Sequence, residues 1–416
     1  MKTFLLLSSA LAASILAAAP TVRTGSVVVD QSAGRSVTVS YELQNEPAVV
    51  TVDFLTNGVS VGESNCTRLS GDVNKLVEVG ERSLLWVPDR EWAMVLPDVD
   101  FTAKVTVWAT NSPPEIMVVD LCAGNTVRYY TSTNALPHGG LANDIYRSEK
   151  MVFRKIPAAR VQWRMGSDST VEGDSQRVAN NEVPHLVTLT EDFYMAIFEL
   201  TIDQYLMLTQ SGDGSYGSGN VAGSFKPIVN VSWATIRGSV FNWPTNGHKV
   251  DSGCFVGRLR ALTGMDTIDL PTDAQWEFAC RAGFGSPSGT DDTRYQIQLW
   301  DALVTNRAWY VSTPGVESSR HKVGMLQPNR WGLYDMQGNV YEYCLDYWSS
   351  GDDFSDGSPA TDPTGPATPV NGNRVVRNGS YGAALDRMRP AFRFNGGFSA
   401  EHSHMGFRLA AGAYAR

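Results

Sequence analysis

Catalysis and binding begin with side chains that can hold a proton, a metal or an electron pair, and this chain places few of them close together. Its five cysteines, Cys66, Cys122, Cys254, Cys280 and Cys344, make no CxxC or other metal-ligand spacing, which argues against zinc. His402 and His404 stand two apart, so on a strand they share a face and could ligate one metal; two surface histidines is the plainer alternative without a third ligand nearby. Ser380 and Asp386 suggest a triad only superficially, because no nucleophile-elbow pattern surrounds Ser380. Arg377, Arg389, Arg393 and Arg408 could hold an anion, but guanidinium is the usual partner of a buried carboxylate, and structural pairing is the expectation. The richest stretch runs from Asn378 to His404. There Arg387, Arg389, Phe392, Phe394, Asn395, Phe398, His402 and His404 combine aromatic anchors with adaptable polar groups, as recognition surfaces do. The alternative is that the same aromatics form the core of the last strands.

The elements that position these residues are set by the rest of the chain. Hydrophobic residues make up 43% and charged residues 19% of 416, enough apolar surface for a sizeable core. A net charge of −9, from 34 basic and 43 acidic side chains, gives no general attraction to nucleic acid or anionic lipid. At the N-terminus, Lys2, an apolar run from Phe4 to Leu16 and Ala17, Ala18 and Ala19 read as a secretory signal over residues 1–19. That run is shorter than the roughly 20 residues of a spanning helix, and no later segment suits a membrane. The expected location is therefore secreted, periplasmic or at the cell surface. An odd number of cysteines in an exported chain leaves at least one thiol unpaired, and Cys66 with Cys122 is a pair that could bridge.

From about Val27 to Leu121 apolar and polar residues alternate: Val37, Val39, Tyr41 and Leu43 against Thr38, Ser40 and Glu42. Period two with turn signals such as Asn57-Gly58 predicts an antiparallel β-sandwich over 25–125. Residues 126–149, with Pro137-His138-Gly139-Gly140, read as a linker. From 150 to 416 short helices are set among loops. Thr201 with Gln204, and Thr272 with Gln275 after Pro271, are marked helix starts. A Gly, Pro, Asp and Ser-rich surface loop is expected between Ser349 and Asn373.

Landmarks in this second region resemble the formylglycine-generating (sulfatase-modifying factor) family in order and spacing. They are Met165-Gly166-Ser167, Pro184-His185, Phe193-Tyr194, Glu199-Leu200-Thr201 and Val229-Asn230-Val231-Ser232-Trp233. Two long motifs follow, Leu270 to Gly283 (LPTDAQWEFACRAG) and Gly332 to Tyr343 (GLYDMQGNVYEY), then Arg377-Asn378-Gly379-Ser380-Tyr381 and Gly406-Phe407-Arg408-Leu409. The resemblance implies a loop-rich, C-type-lectin-like domain here, and with the sandwich read from strand alternation the expected chain is α+β: an N-terminal antiparallel β-sandwich followed by that domain.

It also implies chemistry that can be checked residue by residue. Family members that make formylglycine use two cysteines just after the Gly-Ser-Tyr motif, and paired thiolates suit Cu(I). Here Gly382 to Met388 has no cysteine, and none occurs after Cys344, so copper and formylglycine synthesis are not expected. The family's cation turn matches Asp335 and Glu342 by carboxylate and Gly338 and Val340 by carbonyl, a hard oxygen set that suits Ca²⁺; calcium is the expected cofactor. The alternative is that Asp335 and Glu342 meet amides or arginines.

Three functions follow. The expected one is an exported, non-catalytic protein that binds or displays a protein or glycan ligand, a layout that also resembles the targets of diversity-generating retroelements. The alternatives are a formylglycine-generating oxidase or related oxidoreductase, and a structural cell-envelope protein.

Overall fold

A computed structural model describes residues 18–32, 34–89, 99–122, 126–167, 181–209, 220–238, 243–244, 249–283, 306–311, 319–349, 358–368 and 372–413. The expected signal lies outside these residues as far as Ala17, as do parts of the expected surface loop, 350–357 and 369–371. The chain divides into two compact units, Met1–Thr110 and Asn111–Tyr414.

The first unit is an antiparallel sandwich. Val37–Gln44 pairs with Gly80–Trp86 on one side and with Thr21–Val22 and Val28–Asp30 on the other. In the second sheet Ala48–Thr56 pairs along its whole length with Phe101–Ala109, Val52 facing Val105. Val37, Val39, Tyr41 and Leu43 are buried while Ser40 is exposed, which is the two-residue period turned into an inside and an outside. The inner faces meet at Phe54 and Trp86, whose rings stack with centroids 4.4 Å apart.

The boundary differs from the one expected at 125. Ile116–Asp120 and Thr126–Tyr130 pair with Lys150–Ile156 in a sheet of the second unit, which Phe193–Ala196 and Ala410–Gly412 complete. Residues 126–149 are accordingly not a free linker, since Tyr130, Leu136 and Tyr146 belong to the second unit's core. The physical reason is visible in Ile116-Met117-Val118-Val119. All four side chains are buried, so this strand is covered on both faces where it joins the second unit's sheet.

In the rest of the second unit, Phe394–Gly397, Asn373–Arg377, Tyr341–Tyr347 and Met405–Gly406 form one sheet. Val161–Met165, His185–Leu189 and Ala360–Thr361 form another. The helices are short: Ile202–Thr209, Trp233–Arg237, Phe255–Thr263 and Asp273–Arg281. Both marked starts are built as capping boxes. The Thr272 hydroxyl accepts from the Gln275 N–H at 3.1 Å and the Gln275 side chain accepts from the Thr272 N–H at 3.0 Å. Thr201 and Gln204 do the same, at 3.1 Å each way. Each cap is worth about 1 kcal/mol and fixes where a helix begins. Together these features give the expected α+β class.

Candidate functional site

The site is organised by the turn that feeds the Tyr341–Tyr347 strand. Asp335, Gly338 and Asn339 all have positive φ, at 55°, 86° and 63°. A Cβ on Gly338 would lie 2.2 Å from the Trp309 carbonyl oxygen, so only glycine fits there. The carbonyls of Asp335, Gly338 and Val340 converge on the side-chain amide of Asn378, whose Nδ2 donates to them at 3.0, 2.7 and 3.1 Å. The other end of the same amide accepts from the Gly338 and Gly379 N–H groups at 2.6 and 2.8 Å. Asn339 donates its amide to Glu199 at 2.6 Å and Val340 donates its N–H to the same carboxyl at 3.1 Å. Burial, with Asp335 and Glu342 nearby, pushes Glu199 well above the ordinary carboxyl value.

The four residues matched to a calcium site do not fit one in this fold. The Gly338 and Val340 carbonyls point at N–H donors that a cation would have to displace. Both oxygens of Glu342 are engaged, each accepting from Arg408 at 2.7 Å, and Oε2 also from the Trp276 indole at 2.6 Å. Asp335 Oδ2 accepts from the Gly324 N–H at 2.7 Å, and burial pushes this carboxyl up to about 6. Asp335 Oδ1 is buried without a partner, but one oxygen falls far short of the six to eight that Ca²⁺ takes. Among the described residues no group of three or more His, Cys, Asp or Glu is placed to hold a metal ion.

Tyr341 and Glu342 are neighbours on a strand, so their side chains leave opposite faces. Glu342 turns to Arg408, and Tyr341 turns to the segment from Arg387 to His404. Arg387 donates to the Tyr341 hydroxyl at 3.1 Å, and its guanidinium carbon lies 5.7 and 5.8 Å from the Phe392 and Phe394 ring centres. Phe394 stacks on Tyr341 and on Phe392, with centroids 6.0 and 6.5 Å apart. His404 meets Tyr341 edge-on at 5.6 Å and stacks on His402 at 5.6 Å. Burial, then His402 and Arg387, hold His404 below the ordinary imidazole value. Phe394 is 36% exposed while Tyr341 and Phe392 are buried, so of these three rings it is Phe394 that is open to solvent.

Of the eight recognition residues expected from sequence, five gather here: Arg387, Phe392, Phe394, His402 and His404. The other three point elsewhere. Arg389 is 2% exposed and grips Glu182 at 2.5 and 2.7 Å, with the Ser167 hydroxyl donating to the same carboxyl at 2.7 Å. Asn395 accepts from the Asn373 amide at 3.1 Å, and Phe398 packs on Trp233 at 5.4 Å. Tyr341, at the centre of the cluster, was not among the eight. Its signal was strand alternation, because an inward Glu342 sends Tyr341 to the other side.

The Gly382–Met388 segment brings no thiol to this face. Met388 is buried, and its methyl would lie 2.0 Å from a Cβ on Gly379. None of the five cysteines forms a disulfide. Cys66 and Cys122 fall in different units and do not bridge. Cys280 and Cys344 are fully buried, and burial raises the Cys344 thiol well above its ordinary value.

Comparison with known proteins bears on the second unit. The model of the sulfatase-modifying factor enzyme 1-like domain matches residues 155–413. The formylglycine-generating enzyme of Thermomonospora curvata is 35% identical over 157 residues, 34% of this chain and 48% of the relative. The Bos taurus formylglycine-generating enzyme is 29% identical over 293 residues, 62% of this chain and 74% of the relative. The chain spans about half the length of the bacterial enzymes it matches, 48% and 46%. Among solved structures, Treponema denticola variable protein 1 is 24% identical, with a TM-score of 0.45 over 64% of this chain and 96% of that one.

Proposed function

The chain belongs to the sulfatase-modifying factor enzyme 1-like family, and on that premise we propose that it is an exported, non-catalytic binding protein whose family domain takes a ligand on the face around Tyr341. The observation that carries this reading is the exchange made at Gly382–Met388. Where the family resemblance calls for two thiolates, this chain sends Arg387 to the Tyr341 hydroxyl and surrounds it with the rings of Phe392, Phe394 and His404. Two converging soft ligands are what Cu(I) requires. An arginine, an imidazole and stacked aromatics are instead the components of a recognition surface, rigid rings with few rotamers around an adaptable donor. The Asn378 amide holds the supporting turn from within, so the face is formed before any ligand arrives, which lowers the ordering cost of binding.

The test is an oxygen-dependent turnover assay. Purified protein loaded with Cu(I) is mixed with a sulfatase-type cysteine peptide, and loss of the thiol is followed by mass spectrometry beside a working catalytic relative. No conversion is expected. Conversion at a rate within a hundredfold of the control would overturn the non-catalytic reading.

A further inference from the structure

The arginines of the C-terminal segment divide sharply by what they touch. Arg377 pairs with Asp273 and, at 2.9 Å, with Glu277. Arg389 pairs with Glu182 at 2.5 Å, Arg393 with Asp273 at 2.8 Å and Arg408 with Glu342 at 2.7 Å. All four are buried, and each guanidinium is spent on a carboxylate of the fold. Arg387 is different. It is half-buried, it donates to a neutral hydroxyl, and none of the described carboxylates lies within ion-pair distance of it. The ionisable side chains nearest it include Asp386 beside it in the chain and His404 across from it.

A guanidinium carries five N–H donors in a planar fork that matches an oxyanion. Tyr341 takes one of them, and the remaining donors sit at the rim of an aromatic surface. On a chain of net charge −9, a cation in ion-pair contact with none of the described carboxylates and seated beside aromatic rings is complementary to an anion. The Phe392–Phe394 stack, with planes 11° apart, adds a flat apolar partner next to that charge. Ring stacking and a charge-assisted hydrogen bond then act on one ligand within about 6 Å of each other, and such pairing gives both affinity and orientation.

Resting on the reading of this face as a binding surface, we infer that its ligand presents a planar oxyanion on an aromatic or flat apolar body. Arg387 takes the oxyanion and Phe394 stacks on the body. Carboxylate, sulfonate and phosphate share the chemistry, and the test separates them.

The experiment is saturation-transfer NMR on the whole protein with 2-naphthoate, 2-naphthalenesulfonate, 2-naphthyl phosphate and the neutral 2-naphthamide. At least one anion is expected to bind at least tenfold more tightly than the amide, and the order among the three identifies the headgroup. Arg387→Ala should lose that preference, and Arg387→Lys should keep part of it, because the charge remains and the fork does not. Phe394→Ala should weaken anion and amide alike. Both side chains are partly exposed, so unchanged melting will show that the variants fold. Equal binding of anion and amide, both lost in Phe394→Ala, overturns the oxyanion inference and leaves the binding face standing. Absence of binding by all four probes, or binding that neither variant changes, overturns both.

Discussion

Asn378 and Gly338 are bonded in both directions: the Asn378 side chain accepts from the Gly338 N–H at 2.6 Å and donates to the Gly338 carbonyl at 2.7 Å. The two residues lie forty positions apart, so this one amide ties the Arg377-Asn378-Gly379 segment to the turn that presents Tyr341. It also supplies donors to the Asp335 and Val340 carbonyls, which a bound cation would otherwise have to satisfy.

The first prediction concerns that lock. Asn378→Ala strips three buried carbonyls and two N–H groups of their partner, and each buried polar group left unpaired costs about 1–3 kcal/mol. A loss of at least about 3 kcal/mol in denaturant unfolding is expected. Asn378→Asp should cost more, because it turns a carboxylate toward three carbonyl oxygens. Wild-type melting should be indifferent to the exchange of EDTA for millimolar Ca²⁺, since a ligand stabilises only a fold that binds it. A fall of several degrees in EDTA, restored by calcium, would show that the ion displaces the amide.

The second prediction concerns Glu342. Its carboxylate is fully buried and answers Arg408 on both oxygens. Glu342→Ala leaves that guanidinium uncompensated, and breaking a buried pair from one side costs about 3–5 kcal/mol. Glu342→Leu with Arg408→Met should recover much of the loss in a double-mutant cycle, because both charges are then gone. If the double variant is as damaged as the sum of the singles, the pair is not acting as a unit.

Which features could be read before the fold was known follows from how far apart the partners are. The caps at Thr201 and Thr272 need residues three apart, and the Val37–Leu43 alternation needs one strand, so both were legible. The unit boundary was not, since Ile116–Val119 reads as another strand until one sees that it is covered on both faces. Arg387 and Arg389 are the same residue type two positions apart, yet one meets Tyr341 and the other Glu182. Only partners 46 and 207 positions away distinguish them. The partners of the expected calcium set were hidden for the same reason, since the motif from 332 to 343 contains neither Asn378 nor Arg408.

The third prediction uses the cysteine thiols. Cys122 is exposed, whereas Cys66, Cys254, Cys280 and Cys344 are buried. Native protein treated with iodoacetamide should gain one adduct, at Cys122, and unfolding should release the other four. Burial, then Glu149 and Asp120, raise the Cys122 thiol above its ordinary value, so its labelling should be slower than that of free cysteine at pH 8. Peptide mapping reads the site, and a second native adduct would contradict the packing described for the buried thiols.

The fourth prediction follows from Asp346, which is 2% exposed. Its carboxylate side accepts from the Asp273 N–H at 2.8 Å, but burial and the Asp273 charge push its pKa up to about 7 from 3.8. An acid whose pKa is raised by folding binds its proton more tightly in the native state. Its stabilising contribution is therefore complete below about 3.8 and is lost as pH rises toward 7. Burial pushes Asp335 and Glu199 in the same direction. Asp273 and Glu277 run the other way: burial would raise both, but Arg377 with Arg393 or Arg281 outweighs it and leaves them lowered. The window between about 4 and 7 thus belongs to the raised acids, and melting temperature should decline across it. Asp346→Asn keeps an oxygen for the Asp273 N–H and removes the titration, so its decline should be shallower. An unchanged slope in that variant would mean that Asp346 is ionised throughout the range.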